Sequence, residues 1–257
     1  MMAYDKQKVI DLALSQVGYL EKASNKDLDS MTGNAGSKNY TKYARDLAEV
    51  SFFNGRKQGV AWCAVFVSWN FYKVFGKEAA LKLLCQPSRD NCGAGCKYAR
   101  SYYKAKGQLF NDPQPGDQIF FYSKDKKSIA HTGLVYKVDS KKVYTVEGNT
   151  SGASGVIANG GGVCKKSYSL TYGRIAGYGR PEWGETATQA AAPVPTAPTP
   201  TVTESTVKKY TVKKGDTLWN IAKKHLGSGI RYKEIMSLNG MENSIIRAGM
   251  VLKIPNR

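Results

Sequence analysis

The chain has 257 residues, which is long enough for one medium-sized domain with an adequate core and a second, smaller one. Lysine and arginine number 38 against 20 aspartate and glutamate residues, so the formal net charge is +18. This balance indicates an acidic partner. Because the lysines are scattered and no nucleic-acid motif is recognisable, it favours an anionic polymer over nucleic acid.

The amino-terminal residues predict an amphipathic helix over about residues 5–17 that ends at Gly18. No basic region followed by an apolar core precedes it, and no apolar run is long enough to cross a membrane. We therefore expect a protein made in the cytoplasm without a signal peptide, and no membrane insertion. A shortened chain is the alternative.

Three more helices are predicted in the first half of the chain, after a loop at about residues 22–38 that is rich in Ser, Asn, Asp and Gly. The middle helix contains Cys63 and runs to about Val74, and the last one ends at Gly107. The residues that mark the first and last of these helices are Tyr40, Tyr43, Ala44 and Leu47, and Tyr98, Tyr102 and Tyr103.

From Gly116 onward the pattern changes to strands, predicted over residues 118–122, 131–138, 142–147, 162–168 and 174–180. Asp139-Ser140-Lys141 predicts a tight turn between the second and third strands. Helices followed by an antiparallel sheet define an α+β fold with a papain-like layout.

Three groups in this region have the chemistry of a cysteine hydrolase, in the order nucleophile, base and orienting group. Cys63 lies where a loop turns into an apolar helix, whose amino terminus we expect to lower the thiol pKa. His131 opens a predicted strand, and the next strand ends near Glu147 and Asn149. Each residue alone is as well explained by packing or by a strand position, but the combination favours catalysis.

At these residues the chain resembles the CHAP domain, the cysteine- and histidine-dependent amidohydrolase/peptidase family of bacterial and phage cell-wall hydrolases. The resemblance covers about residues 1–183, and papain-like relatives of the NlpC/P60 type share the same order of parts. The matching motifs are Ala61-Trp62-Cys63-Ala64, Pro115-Gly116-Asp117, His131-Thr132-Gly133-Leu134-Val135 and Val146-Glu147-Gly148-Asn149.

The resemblance implies that Cys63 is the nucleophile and that His131 takes its proton. It also implies that Glu147 holds the imidazole in the productive tautomer, with Asn149 close by. Such a thiolate attacks an amide carbonyl, the imidazole protonates the leaving amine, and water releases the thioester. The backbone amide of Cys63 is the expected donor to the oxyanion, and no cofactor is expected.

Two other patterns are possible metal sites. Some CHAP domains bind calcium through an acidic loop ahead of the cysteine, but the loop around Asp27 and Asp29 lacks the full alternating ligand pattern, so turn chemistry is expected. Cys85, Cys92 and Cys96 could be half of a zinc site, although no CxxC spacing or nearby histidine supports it. We expect no bound metal and reduced thiols.

Residues 185–206 have almost no large apolar side chains and are rich in Pro, Thr and Ala, which predicts a semi-rigid linker. At about 3 Å per residue it could reach up to roughly 60 Å. The linker would separate a catalytic domain at residues 1–184 from a small module at residues 207–257.

This small module contains Gly215-Asp216-Thr217-Leu218, Leu238-Asn239 and a closing strand within residues 248–255. These motifs resemble a LysM repeat, a β-α-α-β module that binds N-acetylglucosamine-containing glycans. Asp216 or Thr217 is expected to cap the helix that Trp219 begins, and His225 is expected to be a plain surface residue. The glycan-contacting residues that the resemblance implies are Gly215, Asp216, Thr217, Leu218, Met241, Ile245 and Ile246.

Two resemblances to wall-acting families predict a peptidoglycan hydrolase that cuts an amide bond. The bond is either the muramoyl–L-alanine amide or one within the stem or cross-bridge peptide. The carboxylates and teichoic acids of the wall fit the expected anionic partner. We expect a monomeric phage or prophage endolysin, released through a holin to act in the cell wall. The alternatives are an inactive wall-binding protein, and a host autolysin, which should carry a secretion signal.

Overall fold

The structure is a computed structural model, and it describes residues 3–184, 207–213, 216–227, 231–241 and 246–255. Contacts divide the chain into two compact units, Met1–Thr186 and Ala187–Arg257. The predicted linker at residues 185–206 lies outside the described residues. Among the helices that are described, none has the length and apolar character needed to cross a membrane.

The first unit begins with its helices. Asp5 and Thr41 cap the first two, each accepting a backbone N–H from the first turn, and Gly76 ends the third. The helices are α1 (Lys6–Ser15), α2 (Lys42–Glu49), α3 (Cys63–Phe75), α4 (Lys77–Leu83) and α5 (Cys96–Ala105), with a short 3₁₀ turn at Arg89–Asn91 before α5.

A six-stranded antiparallel sheet follows, in the order β1-β6-β2-β3-β4-β5. The α+β fold expected from the sequence is confirmed. The strands are β1 (Leu109–Phe110), β2 (Gln118–Ser123), β3 (Ser128–Val138), β4 (Lys142–Thr150), β5 (Gly162–Ser169) and β6 (Ile175–Gly179).

Several element boundaries differ from the predicted ones. His131 does not open its strand, because the β2–β3 hairpin extends the pairing to Ser123 opposite Ser128. Strand β4 continues past Glu147 to Thr150, which pairs with Gly162 after a register shift. Helix α4 and strand β1 were not predicted. Asp139 makes the expected β3–β4 turn, since its carboxylate accepts the N–H groups of residues 141 and 142.

Helix α3 is the element that positions the site, because it packs on β3 and β4. Its entry residue Trp62 is fully buried among Tyr19 and Tyr43, and its indole N–H donates to Glu21 at 2.8 Å. Gly148 of β4 is required beneath this helix, because a Cβ there would lie only 2.6–2.7 Å from atoms of Phe66 and Trp62. The start of α3 is therefore fixed on the sheet by close packing.

The second unit has the order β7 (Val207–Thr211), α6 (Leu218–Leu226), α7 (Tyr232–Leu238) and β8 (Val251–Pro255), with β7 and β8 antiparallel. This confirms the predicted β-α-α-β module. Asn239 joins the end of α7 to β8, because its side chain bonds the N–H and the carbonyl of Lys253, each at 2.7 Å. The buried core consists of Val212, Leu218, Ile221, Ala222, Leu226, Ile235, Leu252 and Ile254.

Candidate active site

Cys63 is the first residue of α3, and its side chain is almost fully buried. The backbone N–H groups of Ala64, in the first turn of the helix, and of Thr132 on β3 face this sulfur and act to lower the pKa of the thiol. The second contact crosses from helix to sheet and places the thiol against the residue that follows His131. As the first residue of the helix, Cys63 also has an amide N–H with no acceptor within the helix, as the expected oxyanion donor requires.

His131 and Glu147 form a buried pair. The Nε2 atom of the imidazole lies 2.9 Å from the Oε2 atom of the carboxylate, and neither side chain is exposed to solvent. Phe121, the neighbour of His131 on β2, stacks its ring on the imidazole with centroids 6.0 Å apart. Because Nε2 is bonded to the carboxylate, the proton of the neutral ring lies there, and Nδ1 is left as the basic nitrogen.

Two residues that sequence reasoning missed hold Glu147 in place. Thr145 donates its hydroxyl to Oε1 at 2.6 Å, and Tyr168 donates to Oε2 at 3.2 Å. Burial first, and then the charge of Glu147, raise the pKa of Tyr168, so its hydroxyl stays protonated and remains a donor. Thr145 could have been found from the sequence, because it lies two residues before Glu147 on the same face of β4.

Gly133 provides the space that the Glu147 side chain occupies. A Cβ at this position would lie 2.5 Å from Cγ of Glu147 and 3.1 Å from the carbonyl oxygen of Val146. Gly133 lies two residues beyond His131 on β3, so both are on the same face of the sheet. The glycine within the His131–Val135 motif therefore lets the carboxylate reach the imidazole.

Cys96 is a further residue at the site that the sequence did not indicate. It begins α5, and its thiol is the side-chain partner of Cys63. This contact, followed by burial, raises the pKa of Cys63 and outweighs the lowering by the backbone N–H of Ala64 at the start of the helix. The same contact lowers the pKa of Cys96, because the two thiols share a proton.

The structure thus brings Cys63 next to the β3 backbone but does not hydrogen-bond it to the imidazole. Nδ1 of His131 is buried and has no hydrogen-bond partner within the described residues. Asn149 is also buried, in a left-handed backbone conformation (φ 56°), and its side-chain oxygen likewise lacks a described partner. Glu147, rather than Asn149, is the group bonded to the imidazole.

A groove of about 620 Å³ opens beside the two cysteines. Ala61, two residues before Cys63, lines one side, and Gly95, immediately before Cys96, lines the other. Tyr98 is half exposed on this groove, with its ring over Gly93 and Gly95, where an added Cβ would lie 2.8 and 3.2 Å from the ring. The groove is therefore lined by residues that lie just before the two cysteines in the chain.

Several residues of the loop and cysteine cluster that were considered as metal sites have other partners. Asp29 forms an ion pair with Arg45 at 2.8 Å, and Asn34 bonds Ser24 and the carbonyl of Lys26. The three cysteines diverge, because Cys85 donates to Gln108, Cys92 donates to Gln86 and Cys96 contacts Cys63. Within the described residues, no group of three or more His, Cys, Asp or Glu side chains could hold a metal ion.

In the second unit, the helix begins at Leu218, one residue before its predicted start, and Thr217 is its cap, accepting the N–H of Asn220 at 3.1 Å. Asp216 instead closes the preceding turn, accepting from Tyr210 and from the N–H of Lys213. His225 is not a plain surface residue, because it is half-buried against the ring of Tyr210.

Among the seven expected glycan contacts, Gly215 and Ile245 lie outside the described residues. Thr217 is exposed, whereas the side chain of Leu218 is buried in the core, which leaves only its backbone for a ligand. Met241 and Ile246 are half-buried against this same core.

Comparison with models of protein families finds one match in each unit. A CHAP domain matches residues 55–149 and a LysM domain matches residues 210–255. The chain therefore carries a CHAP domain followed by a LysM domain, and the resemblances noted in the sequence are confirmed.

Two solved structures are similar to the chain. "The crystal structure of Ly7917" has a TM-score of 0.42 and 12% identity, over 80% of this chain and 65% of that one. "The crystal structure of Ly7917 with the hydrolyzing product of MDP" has a TM-score of 0.41 and 11% identity, over 83% and 66%. The chain spans just under two thirds of the length of these relatives. A search of curated proteins found no match.

Proposed function

We propose that the protein is a cysteine amidohydrolase or peptidase that cleaves an amide bond of bacterial peptidoglycan, with Cys63, His131 and Glu147 as its catalytic residues. The observation that carries the proposal is the buried bond between Nε2 of His131 and Glu147, next to a thiol held at the start of a helix. A neutral imidazole oriented in this way presents an unprotonated Nδ1 as a base.

The reaction follows from these positions. Nδ1 of His131 takes the proton of Cys63, and the thiolate attacks the amide carbonyl. The backbone N–H of Cys63 stabilises the oxyanion. The imidazolium then protonates the leaving amine while Glu147 stabilises its charge. Water, activated by the same Nδ1, hydrolyses the thioester and restores the thiol.

The groove next to Cys63 is the proposed binding site for the peptide part of the substrate. It carries charged groups of both signs, Lys57 and Asp90, and an aromatic surface at Tyr98. Stem and cross-bridge peptides contain free carboxylates, amines and backbone amides. Lys57 would pair with such a carboxylate, and the Tyr98 ring would pack along the peptide chain.

We assign the domains to residues 1–184 and 207–257, with the intervening residues as a tether. The LysM module would bind wall glycan through Asp216, Thr217, Met241 and Ile246, together with the backbone of Leu218 and with Gly215 and Ile245. Tethering raises the effective concentration of the catalytic domain at an insoluble substrate. Production in the cytoplasm as a monomeric phage or prophage endolysin, with release through a holin, remains part of this proposal.

Replacing Cys63 tests the proposal. Cys63→Ala and Cys63→Ser should lower clearing of suspended cell walls by at least about 1,000-fold, because no other group replaces the nucleophile. Cys85→Ala is the matched control, since this thiol donates to Gln108 away from the His131–Glu147 pair and its loss should leave lysis unchanged. Sedimentation with walls should show normal binding by all three variants. Lysis by Cys63→Ala near the wild-type rate would refute the mechanism and favour an inactive wall-binding protein.

A further inference from the structure

The five cysteines, all of which lie in the described residues, have different environments. The thiols of Cys85 and Cys92 each donate to a glutamine, at 3.4 and 3.5 Å, and Cys164 lies on the sheet. Cys63 and Cys96 instead pack together in one buried cluster, and each changes the pKa of the other. The reaction proposed above uses Cys63 and assigns no role to Cys96.

The two thiols meet where two helices begin. Cys63 opens α3 and Cys96 opens α5, so each sulfur lies at the positive end of a helix dipole. They form a small buried cluster with Ala64, covered by Ile129, whose carbonyl accepts the Cys96 thiol at 3.4 Å. The thirty-two intervening residues include α4 and the 3₁₀ turn, so the contact is a feature of the tertiary fold.

Cys96 has the surroundings of a reactive thiol. Its pKa is lowered by the hydrogen bond from Cys63, by the backbone N–H groups at the start of α5 and by the charge of Lys126, against the opposing effect of burial. Ala61 and Gly95, which lie just before the two cysteines in the chain, line a groove, and an oxidant would reach the pair from this side.

We propose that Cys63 and Cys96 form a reversible disulfide that holds the enzyme inactive until it is reduced. The inference rests on the proposed role of Cys63 as the nucleophile. A sulfur bonded to Cys96 can neither give its proton to His131 nor attack an amide. Lysis would then depend on the redox state of the surroundings, with the disulfide as the inactive form.

The oxidant is a small-molecule disulfide. The thiolate of Cys96 attacks one of its sulfurs, forms a mixed disulfide and releases one thiolate. The thiolate of Cys63 then attacks the Cys96 sulfur, forms the Cys63–Cys96 bond and releases the second. Two protein thiols are oxidised and one disulfide is reduced to two small thiols, which take up the two protons. Excess dithiol reverses both steps.

The test exposes the full-length protein to oxidised glutathione, removes the reagent, and measures wall lysis and the peptide map. We expect a Cys63–Cys96 cross-linked peptide, loss of two hydrogens from the intact mass, and lysis lowered at least about tenfold. Dithiothreitol should restore lysis. Because this measurement uses the wild-type chain, it does not depend on the folding of any variant.

Two variants identify the bond responsible. Cys96→Ser cannot form the cross-link. If oxidation still lowers lysis by this variant, Cys63 should carry a glutathionyl group. Cys85→Ser, which removes a thiol outside the pair, should behave as the wild type does. Absence of the cross-link in oxidised wild-type protein, while Cys63→Ala is inactive, would overturn the switch but not the proposed function. A cross-link with undiminished lysis would overturn both.

Discussion

In the CHAP unit, polar side chains lie at the centre of the packing, whereas in the LysM unit they lie where helices and strands end. His131, Glu147 and Thr145 are fully buried and bonded to one another across β3 and β4. Thr217 and Asn239 instead cap a helix and join a helix end to a strand.

The size of each core explains this difference. Burying a carboxylate and an imidazole costs several kcal/mol, by order of magnitude, even when the two are paired. The first unit has α3 and a six-stranded sheet to offset this cost, whereas the part of the LysM core that the structure describes has eight buried residues. The first unit therefore suits the proposed catalytic site, which must be dry and rigid, and the second suits the proposed binding at its surface.

The largest loss of lysis is expected from substitutions in the buried His131–Glu147 pair of the CHAP unit. His131→Ala should lower lysis by at least about 1,000-fold, because it removes the base. Glu147→Gln should leave more activity, with a loss of about 10- to 100-fold, because the amide still fits but does not stabilise the imidazolium. Turbidity assays at matched protein concentration measure both.

Tyr168→Phe provides the graded control for this pair, because it removes one of the hydrogen bonds to the carboxylate and keeps the ring that packs on Phe121. A loss of only about two- to fivefold is expected. If Tyr168→Phe were as severe as His131→Ala, then Tyr168 would act directly in the chemistry.

An effect confined to insoluble substrate is expected when the units are separated. A chain ending after Gly184 should cleave soluble wall fragments within about twofold of the full chain, but lyse intact cells about 10- to 100-fold less well at low concentration. Trp183 must be kept, because its ring stacks on Phe71 of α3 with centroids 5.5 Å apart.

The converse experiment uses the LysM unit. Residues 207–257 should sediment with peptidoglycan stripped of teichoic acid and cut nothing. If this module failed to bind while the shortened enzyme lysed cells undiminished, the net charge of +18 would explain targeting better than LysM does.

The smallest effect is expected from chelation. EDTA should leave lysis within about twofold, because thiol, imidazole and backbone donors supply every step of the reaction. Loss of lysis without a change in thermal stability would contradict this account of the site. A drop in melting temperature would instead point to structural calcium near Asp27 and Asp29.

The sequence predicted the helix-then-sheet order, the β-α-α-β module and the residues of the His131–Glu147 pair, because these depend on local patterns and short motifs. It did not predict the Cys63–Cys96 contact or the reach of Tyr168 to Glu147, since both depend on how distant elements pack. The net rise in the pKa of Cys63 was not predicted, for the same reason. The position of Cys63 at the start of a helix could be predicted from the sequence, but its contact with the thiol of Cys96 could not.

The chemistry of the products tests the central claim most directly. Purified peptidoglycan would be digested with the wild type and with Cys63→Ala, and the fragments analysed by mass spectrometry together with assays for new amino groups and new reducing sugars. An amide hydrolase acting through Cys63 should release new amino groups without new reducing ends, and the variant should release neither. New reducing ends, or equal release by Cys63→Ala, would contradict the account.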